Sequence, residues 1–120
     1  MNRLRVTAPA ERDITRLLDH SEWRFGRAAR RRYERLLMAA LADITRDPDR
    51  IGSRTLPELG GARLFHMNRS RSPADADMRV GSARHVIFYK FVEPDQVVVL
   101  HVLHDAMDLP RHLRPDPFEP

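Results

Sequence analysis

A chain of 120 residues with 42% apolar and 32% charged side chains has the make-up of one soluble globular domain, large enough to bury a core. No apolar run nears the ~20 residues of a membrane helix, the opening Met1-Asn2-Arg3-Leu4-Arg5-Val6 lacks a signal-peptide core, and with no cysteine there is neither a disulfide framework nor a thiolate metal site. The net charge of +4 is carried by arginine, Lys90 being the only lysine, which suits an acidic protein segment or nucleic acid as partner. A cytoplasmic location is the expectation, with 1–120 as a single domain and 113–120 as a flexible tail.

Arg3 to Val6 reads as a short strand, Leu4 and Val6 sharing a face. Thr7 suits the N-cap of a helix and Pro9 its first turn. The helix places Ala10, Ile14, Leu17, Leu18 and Ser21 on one face, and Gly26 breaks it after Trp23 and Phe25. A second helix carries Ala29, Tyr33, Leu36, Leu37, Ala40, Leu41 and Ile44 as one buried stripe. Asp47-Pro48-Asp49 ends it, because the residue before proline resists the helical region. Ile51 to Gly61 reads as a loop. Arg63 to Arg69 reads as a strand, and Ser70 to Ser82 as a mobile hairpin loop. Two β-rich runs then flank Glu93-Pro94-Asp95-Gln96 and form a hairpin.

The order β-α-α-β-β-β predicts an α+β fold: an N-terminal strand and an αα-hairpin packed on a mainly antiparallel sheet. In the last strand Val97 and Val99 fall on one face and Val98, Leu100 and Val102 on the other. A strand apolar on both sides is covered on both sides. The helices supply one cover, and a partner is the expected source of the other.

Six histidines invite a metal reading, but His101 and His104 point to opposite faces of a regular strand and no His-Glu-x-x-His spacing occurs. Hydrogen-bonded histidines at the end of the sheet are the expectation, with no metal and no cofactor. Metal-free RNA cleavage needs a base, an acid and cations for the developing phosphorane charge. Arg63, Arg69, Arg84, His101 and His104 are the residues that could converge for it, Arg63 and Arg69 sharing a face if their strand is regular. Arg24, Arg27, Arg31 and Arg35 form a stripe beside the buried face of the helices: a solvated surface, or a dock for an acidic peptide or nucleic acid. At 7% aromatic content no base-stacking platform is evident, so stable nucleic-acid binding is not expected. Trp23 and Phe25 fit capping contacts at the helix junction, with a protein-binding hot spot as the alternative.

Nearly the whole chain resembles the ParE branch of the ParE/RelE toxins. The likeness rests on Ala10-x-x-Asp13-Ile14, Phe25-Gly26, Tyr33-x-x-Leu36, Asp47-Pro48, Leu59-Gly60 ahead of Arg63, Arg84-His85-Val86-Ile87-Phe88-Tyr89, and Val99-Leu100-His101-Val102-Leu103-His104-x-x-Met107-Asp108. The last is the most specific. His101 departs from the arginine often found there, which puts a fixed cation at that position in doubt.

The resemblance implies the toxin of a type II toxin–antitoxin module, of the kind tied to plasmid stabilisation and growth regulation. It inhibits DNA gyrase by binding and forms a hetero-oligomer with an antitoxin whose acidic C-terminal segment is disordered until bound. The alternative is a RelE-like ribosome-dependent mRNA endonuclease using Arg63, Arg69, Arg84 and His104. RelE-type enzymes usually place a tyrosine after the last strand, and none follows His104 here, so no catalysis is expected. A third reading is a scaffold that has lost toxicity and only binds its partner. Trp23, Arg27, Arg31, Arg35 and Arg84 are the antitoxin-contact candidates. His104, Met107, Asp108 and His112 are the gyrase-contact candidates.

Overall fold

The computed structural model describes residues 1–70 and 83–105. Strand β1 (Arg3–Val6) leads through Thr7 into α1 (Ala8–Phe25). Thr7 caps that helix as its sequence suggests: its hydroxyl accepts from the Ala10 N–H at 3.3 Å and donates to the Val99 carbonyl at 2.9 Å. Gly26, at φ +92°, turns the chain into α2 (Arg27–Arg46), a conformation that a residue with a Cβ rarely adopts. The buried residues of α1 are Ala10, Leu17, Leu18 and Ser21, and those of α2 are Leu36, Leu37, Ala40, Leu41 and Ile44. Among the described residues, no helix is long and apolar enough to cross a membrane.

Four more strands follow: β2 (Ser53–Leu56), β3 (Ala62–His66), β4 (His85–Val92) and β5 (Gln96–His104). The sheet runs β1-β5-β4-β3-β2, with β1 parallel to β5 and the remaining pairs antiparallel. The architecture is thus α+β, two helices on a five-stranded mixed sheet. The segment expected as loop from Ile51 to Gly61 contains β2. Its sequence Ser-Arg-Thr-Leu buries only Leu56, because an edge strand needs little apolar surface. The strand expected to reach Arg69 stops at His66, where Met67–Ser70 winds into a 3-10 turn and buries Met67. Arg63 and Arg69 therefore do not share a strand face. The expected loop at 71–82 lies outside the described residues.

Strand β5 carries a β-bulge. Phe88 of β4 stands opposite His101, but Tyr89 stands opposite Val99, so Leu100 is the extra residue. The bulge shifts the alternation by one. Val102 therefore joins Val97 and Val99 in the core under the helices, instead of Val98 and Leu100 on the far face. His104, opposite His85, is carried to the helix side in the same way.

The core on that side includes Phe65, Ile87 and Tyr89, whose hydroxyl donates to the Pro48 carbonyl at 2.6 Å. On the far face Leu56, Ala62, Leu64, Val86 and Phe88 form a second buried cluster, joined by Leu59, Leu100 and Leu103. Of the last-strand residues for which a partner cover is expected on this face, Val98 is buried within the chain itself and Leu100 is half-buried.

Strand β1 ends at Val6, so β5 has no strand neighbour on that flank beyond Val99. Helix α1 fills the gap. The Asp13 carboxylate accepts the Val102 N–H at 3.0 Å and pairs with His101 Nδ1 at 2.9 Å. Asp13→Ala should cost about 1–3 kcal/mol in urea unfolding, the penalty for stranding a half-buried donor, and Asp13→Asn should recover part of it. An unchanged midpoint for Asp13→Ala would show that water replaces the carboxylate.

Candidate functional site

Where β4 begins and β5 ends, three rings meet. The His85 and His104 rings stand edge to face with centroids 5.4 Å apart, and Tyr33 of α2 stands edge to face with His85 at 5.5 Å. Tyr33 Oη lies 2.6 Å from His85 Nδ1 and accepts the Arg84 N–H at 3.0 Å. With one donor already aimed at the oxygen, the phenol proton is directed to Nδ1, which assigns His85 as the neutral Nε2–H tautomer. Burial agrees: it pushes the His85 pKa down to about 4, helped by the nearby His104 and opposed by Asp105. Burial also raises the Tyr33 pKa.

Asp105 ties the end of β5 down. Its N–H donates to the Arg84 carbonyl at 2.8 Å, and its carboxylate meets His66 Nε2 at 3.0 Å, a bond that lowers the carboxyl pKa. The histidines thus serve as hydrogen-bonding groups at the sheet end, with His101 held by Asp13 and His66 by Asp105. Among the described residues no set of three or more His, Asp or Glu side chains is grouped to hold a metal ion.

This ring cluster floors a groove of about 550 Å³. Leu17, His20, Ser21 and Phe25 line it from α1, and Ala29, Arg32 and Tyr33 from α2. Arg84, His85 and His104 close the sheet end. The lining is mostly apolar by surface, with two guanidinium groups and no carboxylate among the described residues, so it favours an apolar group that carries negative charge. Arg32, the last of the consecutive Arg30-Arg31-Arg32, is not singled out by the sequence reading. Its place in Ala29-x-x-Arg32-Tyr33-x-x-Leu36 sets it at the border of the buried stripe, and that spacing was the available signal.

The five residues considered for RNA cleavage are not gathered: His101 is held by Asp13 at the flank of β5. Arg63 is held by Asp49 at 2.6 Å and stands opposite Tyr89, four residues along β4 from His85, or about 13 Å at the rise of a strand. Arg69 is exposed and lies against Gly52. Only Arg84 and His104 share the groove.

Trp23 and Phe25 are exposed, at 79% and 70%, rather than buried as capping contacts. The Trp23 ring lies 6.1 Å from His20, and Phe25 forms one wall of the groove. Arg24 belongs to α1, before the break at Gly26, and sits over Phe25. It is not part of the α2 stripe. Arg27, Arg31 and Arg35 are exposed, and at 100° per residue they lie opposite the buried stripe of α2 rather than beside it. Arg27 pairs with Glu22 at 3.5 Å. Among the described residues, Arg31 and Arg35 have no ion-pair or hydrogen-bond partner. Arg30 instead closes the hairpin, meeting Asp19 at 2.8 Å and Glu22 at 3.0 Å. Met107, Asp108 and His112 lie outside the described residues.

Against this geometry, the family model described as the ParE toxin of the type II toxin–antitoxin system parDE matches residues 4–109. The chain belongs to the ParE toxin family. No curated protein matches it at a significant level. The matched span takes in β1 from Leu4 onward, both helices and β2 to β5, and so all the described residues that line the groove. As a ParE-family toxin it is one half of a toxin–antitoxin pair.

The ring cluster makes stability depend on pH. His85 takes up a proton near pH 6.5 when unfolded and near pH 4 when folded. Between those values the unfolded chain binds more protons, so the contribution of His85 is whole above pH 6.5 and fades as the pH falls towards 4. Thermal melts should therefore lose Tm across that window. His85→Gln should start lower at pH 7.5 and lose less by pH 4.5. Parallel slopes for the two proteins would mean that His85 is not the group responsible.

Proposed function

We propose that this ParE-family toxin binds DNA gyrase and stalls it without chemistry of its own, and that a cognate antitoxin silences it. The observation that carries this reading is the dispersal of the alternative catalytic set: Arg63 is committed to Asp49, and Arg69 stands off the strand that would have aligned it. Family membership over residues 4–109 supports it, as does the absence of any tyrosine after His104.

The antitoxin contacts are the exposed Trp23 and the cationic Arg27, Arg31, Arg35 and Arg84. An acidic segment that folds on binding can wrap such a surface. The gyrase contacts are His104, Met107, Asp108 and His112, on and beyond the end of β5. Work in the cytoplasm, where gyrase acts, belongs to the same proposal.

A supercoiling assay with purified gyrase is the test. Adding the protein should halt supercoiling or accumulate cleaved DNA, and adding its neighbour-encoded antitoxin should restore activity. No effect at micromolar protein, together with ribosome-dependent mRNA cleavage that drops on the order of 10²-fold in His104→Ala, would establish the endonuclease reading instead.

Reversing Arg27 and Arg31 to glutamate should slow antitoxin association and flatten its salt dependence, as expected when steering charges are removed. Unchanged association kinetics would make the stripe a solvated surface only.

A further inference from the structure

Among the described residues strand β1 is an open edge of the sheet, bonded to β5 on one side only. The Arg3 N–H donates to the Asp95 carbonyl and the Thr7 N–H to the Val99 carbonyl, so alternate residues from Arg3 turn their backbone groups towards β5. Those of Leu4 and Val6 face the other way, towards the open edge.

The side chains alternate as well. Leu4 and Val6 lie on the helix side, opposite Val97 and Val99, and Arg3 and Arg5 lie on the far side. Next to the edge, Met1, Leu4, Met38, Leu41 and Ala42 line a second groove of about 520 Å³ between β1 and α2. Three of its large apolar groups remain exposed: Met1, Leu4 at 40% and Met38 at 59%.

Proteins commonly blunt sheet edges with charge, because a free edge is a template for another strand. The charged side chains of β1 itself are of one sign: Arg3 pairs with Asp95 at 3.3 Å yet stays largely exposed, and Arg5 has no ion-pair partner among the described residues. A second copy pairing here with its own β1 in register, with Leu4 over the groove, would set arginine opposite arginine, which is destabilising. A strand with carboxylates at those positions would be attracted, and its intervening apolar side chains would fall over Leu4 and Met38.

We propose that β1 accepts an added strand from an acidic partner, in which carboxylate and apolar residues alternate. The carboxylates sit beside Arg3 and Arg5, the apolar side chains fill the groove at Met38, and the backbone pairs with Leu4 and Val6. Taking that partner to be the antitoxin rests on the function proposed above; the surface itself does not.

The test has two arms. In the first, the neighbour-encoded antitoxin is titrated into the full chain by calorimetry. Arg5→Glu combined with Met38→Glu, both at exposed positions, should weaken binding at least tenfold. Arg54→Glu combined with Thr55→Glu, both exposed on the opposite edge of the sheet, makes the same charge change and should not. Equal weakening by both would make the effect one of net charge and overturn the proposal, as would no weakening by the β1 variant.

In the second arm, a short synthetic peptide alternating glutamate with valine is added to the isotopically labelled protein. The amide signals of Leu4 and Val6 should shift, and the same peptide with lysine for glutamate should leave them still. No shift with the acidic peptide, or concentration-dependent dimerisation through β1 in sedimentation, would overturn the proposal. If the antitoxin does not bind but the peptide does, the edge site stands and the antitoxin reading falls. Loss of gyrase inhibition alone would leave both arms readable.

Discussion

The closure of β5 beyond the end of β1 is the constraint on which the rest of this molecule depends. A central strand cannot leave a run of half-buried N–H and carbonyl groups facing nothing. Here Thr7 and Asp13, from the start of α1, take the place of the missing strand. That substitution fixes where α1 crosses the sheet. It therefore fixes where Leu17, His20 and Phe25 stand relative to β4 and β5, and with them the wall of the groove. The groove is a consequence of how the strand's flank is sealed.

The bulge at Leu100 is the second determinant. Without it His104 would point away from the helices and the ring pair with His85 would not exist. With it, His104 is placed beside the half-buried His85, which packs against the Tyr33 phenol and is held neutral because burial and the neighbouring His104 outweigh the pull of Asp105. The result is a floor of stacked rings flanked by Arg32 and Arg84.

Much of this was legible from local signals. The two helical stripes, the Thr7 cap, the break at Gly26, the stop at Asp47 and the turn before Gln96 each depend on neighbours within a few positions, where sequence and conformation are tightly coupled. β2 was not legible, because Ser53-Arg54-Thr55 carries no alternation and an edge strand imposes none. The bulge was hidden for the opposite reason: Val97 to Val102 is apolar at almost every position, so a shift of one residue leaves no mark on the pattern. Trp23 and Phe25 suggested burial by residue type alone, yet they stand at the open end of the hairpin with no element above them among the described residues. For the catalytic set, Arg63 and Arg69 fitted one face only on the assumption of a regular strand, and the 3-10 turn at Met67 removes that assumption.

The parallel pairing of β1 with β5 has a consequence for how the protein comes into being. Thr7 and Val99 are 92 positions apart, and their bond belongs to the contacts that close the sheet. During synthesis β1 and both helices emerge first, and β1 has no strand partner until Gln96–Val99 has left the ribosome. Contacts so distant in sequence form late. A growing chain of this toxin therefore cannot assemble its groove or its sheet edge piecemeal. A chain interrupted before β5 carries the helices but neither the closed groove nor a β1 paired into the sheet, so both surfaces exist only once β5 has been made.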